Sequence, residues 1–288
     1  MTNILRVFPR QTNDSPDDEL VRFGYPSLLD AMLDIREVHI SVTFSWDLPR
    51  AESLYKAWSK LFPTKLGGPA TGQKGEDFVP GMYLKRGIVI TSRGCPNKCW
   101  FCLVWKREGQ GVRELPITEG WDLQDDNLLA CSDEHIKKVF AMLGRQNHRP
   151  LFKGGLEAKR LKKWHVEELA KLKPQRLFFA YDTPDDREPL FEAGKMLRDG
   201  GIIGTPPLRA YVLVGGKNDT FEKAQKRMLD CVDAGFTPFA MLYRGESGAT
   251  SKEWKKFACL WTSPLSVFAE VQKLRGKVSK MVGPLLRD

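Results

Sequence analysis

No stretch of this chain comes near the roughly 18 consecutive apolar residues of a membrane-spanning helix. Its opening run, MTNILRVFPRQTNDSP, lacks the long hydrophobic segment of a secretory signal. The expectation is a cytoplasmic protein with no membrane partner. Paired cysteines are missing too. Of the 6 cysteines, Cys131, Cys231 and Cys259 stand alone, which suits a reducing compartment and speaks against a disulfide framework. Cys231 shares the apolar side of a helical pattern with Phe221, Ala224 and Met228 and reads as a small core residue. A second tight group of cysteines is also absent, so no more than one metal cluster is expected.

What the chain does have is Cys95, Cys99 and Cys102 in the run RGCPNKCWFC, a C-x3-C-x2-C spacing. Three thiolates fall one short of closing a tetrahedral structural metal site, whereas an iron–sulfur cube held by three leaves one iron open to another ligand. Zinc with a distant fourth ligand is the alternative, and Cys131 and His135 are the nearest downstream candidates. With an aromatic residue at Phe101, the segment resembles the signature of the radical S-adenosylmethionine (radical SAM) superfamily. The resemblance implies a 4Fe-4S cluster on Cys95, Cys99 and Cys102, with the amino and carboxylate groups of SAM on the open iron. One electron then cleaves SAM to methionine and a 5′-deoxyadenosyl radical. The protein's share is to position the reactants and exclude water.

At 288 residues the chain can bury a full core, as one large α/β domain or as one domain with a small appendage. Residues 1 to about 36 show no clear pattern. VHISVTF then reads as a buried strand, Pro49 to Leu61 as an amphipathic helix, and TKLGGPA as a short strand ending in glycines, giving a small α/β segment over residues 1–85. This order resembles the tail of the Rossmann-like domain in cobalamin-binding radical SAM enzymes. The D-x-H-x-x-G motif that ligates cobalt there is absent, so cobalamin is not expected.

From Gly87 the strands GIVIT, PLFKGG, RLFFAYD, RAYVLVGG and PFAMLYR alternate with helical patterns, the sign of a parallel α/β architecture. The resemblance implies a partial (β/α)6 TIM-like barrel over residues 86–250. Its sixth strand is not evident and must come from the N-terminal part or from an unrecognised segment. Beyond residue 251, Trp254, Phe257, Leu260 and Trp261, then Leu265, Phe268, Val271 and Leu274, predict two covering helices over residues 251–288.

Strand ends hold the other candidates, because parallel α/β folds gather their chemistry at the carboxyl ends of strands. Gly154 and Gly155 close one strand and allow close approach to its backbone. In the resembling family a GGE-like motif at this place binds the methionine end of SAM, and Glu157 lies one residue beyond the matching position. The resemblance further implies that Phe101 packs near the adenine, that Gly215 sits on a SAM-contacting strand, and that Met241 and Tyr243 grip the adenine edge. Asp182 is either a ribose contact or a helix-start residue. Arg244 is a carboxylate or anion contact, or surface charge. Asp126 and Asn127, after Asp125, are substrate contacts or turn formers. Arg93, Lys98, Lys106 and Arg107 surround the triplet and would draw an acidic electron donor of flavodoxin or ferredoxin type, or serve solubility alone.

The net charge of +9 favours an acidic partner, with nucleic acid or a nucleotide as candidate substrates. Three readings follow. The first is a radical SAM enzyme that abstracts hydrogen from a nucleobase, nucleotide or nucleic acid, and the second is the same chemistry on a small metabolite. A zinc-stabilised nucleic-acid-binding protein without catalysis is the third.

Overall fold

The structure is a computed structural model that describes residues 3–72, 82–203, 208–245 and 248–282. The N-terminal stretch without a legible pattern contains two strands, β1 (Ile4–Phe8) and β2 (Val21–Phe23). With β3 (Glu37–Ser41) and β4 (Thr64–Gly67) they form a four-stranded, all-parallel sheet in the order β2-β1-β3-β4. Helix α1 (Leu48–Trp58) buries Ala51, Leu54 and Trp58 against Leu5, Val7, Val38, Ile40 and Val42. Trp58 is fully buried, and its indole N–H donates to the Gly24 carbonyl at 3.0 Å, so the polar end of the ring stays satisfied. This unit has a hydrophobic core of its own.

Next come β5 (Ile88–Val89), β6 (Ser92–Arg93), the short helix α2 (Val104–Arg107), β7 (Arg113–Glu114) and β8 (Asp122–Leu123). Strands β6 and β7 make a small antiparallel ladder at the base of the cysteine loop. Three-turn helices then alternate with strands: α3 (Asp133–Gly144), β9 (Leu151–Leu156), α4 (Lys163–Leu172), β10 (Arg176–Ala180), α5 (Arg187–Asp199), β11 (Leu208–Val214), α6 (Phe221–Asp233) and β12 (Thr237–Leu242). Strands β5, β8, β9, β10, β11 and β12 form one parallel sheet, side by side in chain order. The sixth strand is β8, only two residues long. Among the described residues β5 and β12 are the edges of this sheet, with no ladder closing it into a barrel.

Alternation along the strands separates two faces. Leu123, Phe152, Leu177, Phe179, Ala210, Val212 and Ala240 belong to the main core, with Val139, Leu143, Leu169, Leu190 and Met228 of the helices. The opposite, inner face carries Asp122, Gln124, Lys153, Phe178, Arg209, Tyr211 and Phe239. On it the Phe178 and Tyr211 rings stack at 4.3 Å, and the Arg209 guanidinium lies 5.2 Å from the Phe239 ring centre.

Both predicted C-terminal helices are present, α7 (Lys252–Leu260) and α8 (Pro264–Val282). Ala258, Trp261, Val267 and Val271 join the main core. The Ala240 N–H donates to the Trp261 carbonyl at 2.9 Å, so the tail also covers the outer edge of β12. Among the described residues no helix is long and apolar enough to cross a membrane.

Candidate metal centre

The cysteine loop leaves the carboxyl end of β5 and is strapped down by three consecutive residues that follow β8. Asp125 is 2% exposed and accepts from the Thr91 hydroxyl at 2.6 Å, the Thr91 N–H, and the Ser92 N–H at 3.0 Å. Asp126 accepts from the Gly94 N–H at 2.8 Å. Asn127 donates from Nδ2 to the Cys95 sulfur at 3.3 Å and to Glu157 Oε2 at 2.6 Å. Each residue therefore holds the next station along the loop, ending on a cysteine. Desolvation pushes the Asp125 carboxyl above its ordinary range, and the Thr91 and Ser92 donors work in the opposite direction.

The glycine pair of β9 makes this strap possible. From Phe152 to Leu156 β9 takes four steps while β10 takes two, from Leu177 to Phe179, so the strand bulges at the glycines. A Cβ on Gly154 would stand 2.0 Å from the Asp125 carbonyl oxygen and 2.8 Å from its nitrogen. Gly155 has φ +94°, a left-handed conformation, and open space around it. Glu157 leaves the bulge, pairs with Arg160 at 2.6 Å and Lys159 at 3.0 Å, and through Asn127 reaches the cysteine loop. Those donors hold its carboxyl below the usual range, against the desolvation that opposes them.

The loop itself is tightly wound. Cys102 N–H donates to the Cys99 carbonyl at 3.1 Å, the Trp105 indole donates to the same carbonyl at 3.0 Å, and Val104 N–H points to the Cys102 sulfur at 3.5 Å. Desolvation, with Cys102 and Cys95 nearby, pushes the Cys99 thiol up to about 11, and desolvation also raises Cys102. The three thiols thus share one electrostatic neighbourhood. Among the described residues, however, no three His, Cys, Asp or Glu side chains converge on a point where one metal ion could be held. A single tetrahedral zinc at about 2.3 Å from each sulfur draws its ligands to roughly 4 Å from one another. A cube differs from it in taking each thiolate on a different iron. N–H donors aimed at Cys95 and Cys102 suit a negatively charged cluster, and the buried Asn127 Oδ1 beside them has no partner among the described residues.

Two of the four cations around the triplet serve the strap, since Arg93 and Arg107 approach Asp126 at 3.8 and 3.9 Å. Lys98 and Lys106 are exposed. Phe101 is edge-on to Trp100 at 5.4 Å, and Trp100, 51% exposed, reaches across to Tyr243 at 5.3 Å. A Cβ on Gly216 would lie 2.9 Å from the Trp100 ring. The structure thus brings the cysteine loop, the end of β11 and the end of β12 together under one tryptophan. Gly215, at φ +72°, faces the Trp254 ring of α7. Met241 is 43% exposed at the end of β12. Arg244 stands apart, its guanidinium 5.0 Å from the Trp46 ring centre in the N-terminal unit.

Asp182 accepts from the Leu213 N–H at 2.8 Å, tying the end of β10 to β11, while Thr183 and Asp186 form the helix-start capping pair. Desolvation, then the charge of Asp186, pushes the Asp182 carboxyl up to about 7. An acid with a raised folded-state pKa favours folding fully below its unfolded value and loses that contribution as pH rises through the folded one. The wild-type urea midpoint is therefore expected to fall between pH 5 and pH 8 by more than that of Asp182→Asn. Equal falls would remove Asp182 as the titrating group.

No protein-family model matches the chain, and no curated protein sequence does. The site therefore rests on its geometry. Sequence reasoning missed the strap's dependence on Asp125 and the polar cluster of the inner face, Asp14, Asp122, Gln124 and Lys153. The only signal for the second was charge at alternate positions of strands that are otherwise apolar.

Proposed function

We propose that this chain is a radical SAM enzyme that holds a 4Fe-4S cluster on Cys95, Cys99 and Cys102 and abstracts hydrogen from a nucleobase, nucleotide or nucleic acid. The six parallel strands in chain order, β5 to β12, are read as its partial (β/α)6 barrel. One observation carries the proposal: a three-cysteine loop at the carboxyl end of the first strand, fastened through Asp125, Asp126 and Asn127 to the bulged glycine strand beside it. When bound, the cluster supplies the electron that cleaves the sulfonium of SAM. The chain's own part is to fix the loop, to place N–H donors on two of the sulfurs, and to offer Asn127 Oδ1 and Glu157 as acceptors beside Cys95. Trp100, Phe101 and Tyr243 form an aromatic cluster beside the loop. The charge of +9 supports an anionic substrate and an acidic electron donor of flavodoxin or ferredoxin type.

Anaerobic reconstitution with iron and sulfide tests the cluster. Roughly four irons per chain are expected from the cube, with Cys99→Ala losing most of them. A single zinc and no retained iron would replace this reading with the zinc-stabilised one.

A further inference from the structure

On the inner face, one pleat below the glycine bulge, lies a polar cluster that neither the cysteine loop nor its strap uses. Lys153 pairs with Asp122 of β8 and, at 3.3 Å, with Asp14, which arrives from the loop after β1 in the N-terminal unit. Gln124 donates to the other oxygen of Asp14 at 3.1 Å. The Tyr211 hydroxyl fixes the strand by donating to the Lys153 carbonyl at 3.0 Å. Three segments far apart in sequence meet here.

Two observations separate this cluster from a closed structural ion pair. Asp122 is only 5% exposed, and its Oδ1 is buried with no hydrogen-bond partner among the described residues. An unsatisfied buried carboxylate oxygen is costly, and each one in a folded protein calls for an account such as a bound water, an ion, a ligand or a catalytic role. Meanwhile the Lys153 and Asp14 side chains are 31% and 37% exposed, so the cluster is open on one side. Desolvation pushes the Asp122 carboxyl above its usual range, and Lys153 opposes that shift.

We infer that Asp14, Asp122 and Lys153 form the recognition site for the substrate's ring, and that this ring presents N–H donors next to a carbonyl, as guanine does. The inference rests on the nucleobase reading and narrows it. The free oxygen of Asp122 and the carboxylate of Asp14 accept from the ring N–H and the exocyclic amine, and Lys153 donates to the carbonyl. Sites built on buried hydrogen-bonding groups reject an analogue that lacks one donor, because a protein group is then left unpaired. The N-terminal unit takes part directly, through Asp14.

Equilibrium dialysis of the full chain against guanosine and inosine, without reductant, tests this. Guanosine is expected to bind at least tenfold more tightly than inosine, which lacks the exocyclic amine. Asp122→Asn, which replaces one of the two acceptor oxygens with a donor and removes the charge that pairs with Lys153, is expected to lower guanosine affinity at least tenfold. Asp14→Asn, at a partly exposed position, should reduce the preference independently of any folding defect in the first variant. Equal binding of the two nucleosides, binding of neither, or an unchanged preference in Asp14→Asn would overturn the inference. The assay needs no SAM cleavage, so a chain that prefers guanosine but never cleaves SAM would keep this site and lose the proposed chemistry.

Discussion

Gly154→Ala is expected to unfold the bulge, lower stability by roughly 3 kcal/mol and abolish iron loading. The new methyl carbon would meet the Asp125 backbone, with the carbonyl oxygen at 2.0 Å and the nitrogen at 2.8 Å. Neither atom sits on a flexible side chain, so β9 and the strap must separate. Separation moves Asp125, Asp126 and Asn127 together, and with them the anchors of Thr91, Gly94 and Cys95. Gly155→Ala is the control. Its Cβ meets open space, and only the φ of +94° opposes it, a cost of about 1 kcal/mol. Urea denaturation and iron analysis of both variants check the pair, and a Gly154→Ala protein that loads iron like the wild type would refute the role given to the strap.

The second large effect is expected at Asp125. Alanine there leaves the Thr91 and Ser92 N–H groups buried and unpaired, at about 1–3 kcal/mol for each group. Asparagine keeps one oxygen for those N–H groups, and the Thr91 hydroxyl can turn to accept from the new amide. The order of urea midpoints should therefore be wild type, then Asp125→Asn, then Asp125→Ala. Iron content after reconstitution should follow the same order. If alanine and asparagine were equally mild, the carboxylate would not be what holds the loop.

Much of this was legible before any coordinates, for identifiable reasons. The four longer core strands, β9 to β12, lie in apolar runs that end in Gly or a charged residue, and the helices between them begin at residues such as Ser132, whose side chain accepts from the His135 N–H at 3.2 Å. Strand β8 escaped because only Asp122 and Leu123 pair, and Asp122 points to the polar inner face. Strands β1 and β2 escaped because Arg6 and Arg22 interrupt them. Those arginines are paired with Asp18 and Asp30, partners that a pattern of apolar residues does not reveal.

At the site, spacing alone singled out the cysteines. It could not assign Asp126 and Asn127, because a turn former and a loop anchor look alike until the partner residue is known. For Gly154 the sequence suggested close approach, and the structure supplies what approaches: the Asp125 backbone. For Arg244 the sequence left an anion contact and surface charge open, and the structure adds a ring contact to Trp46 of the N-terminal unit.

The most direct test of the whole account is chemical. Anaerobically reconstituted protein should be incubated with SAM and a strong one-electron reductant, and the products separated by chromatography. The account predicts 5′-deoxyadenosine and methionine in equal amounts from the wild type and neither from Cys99→Ala. A wild-type protein with its full complement of iron that releases no 5′-deoxyadenosine would contradict it.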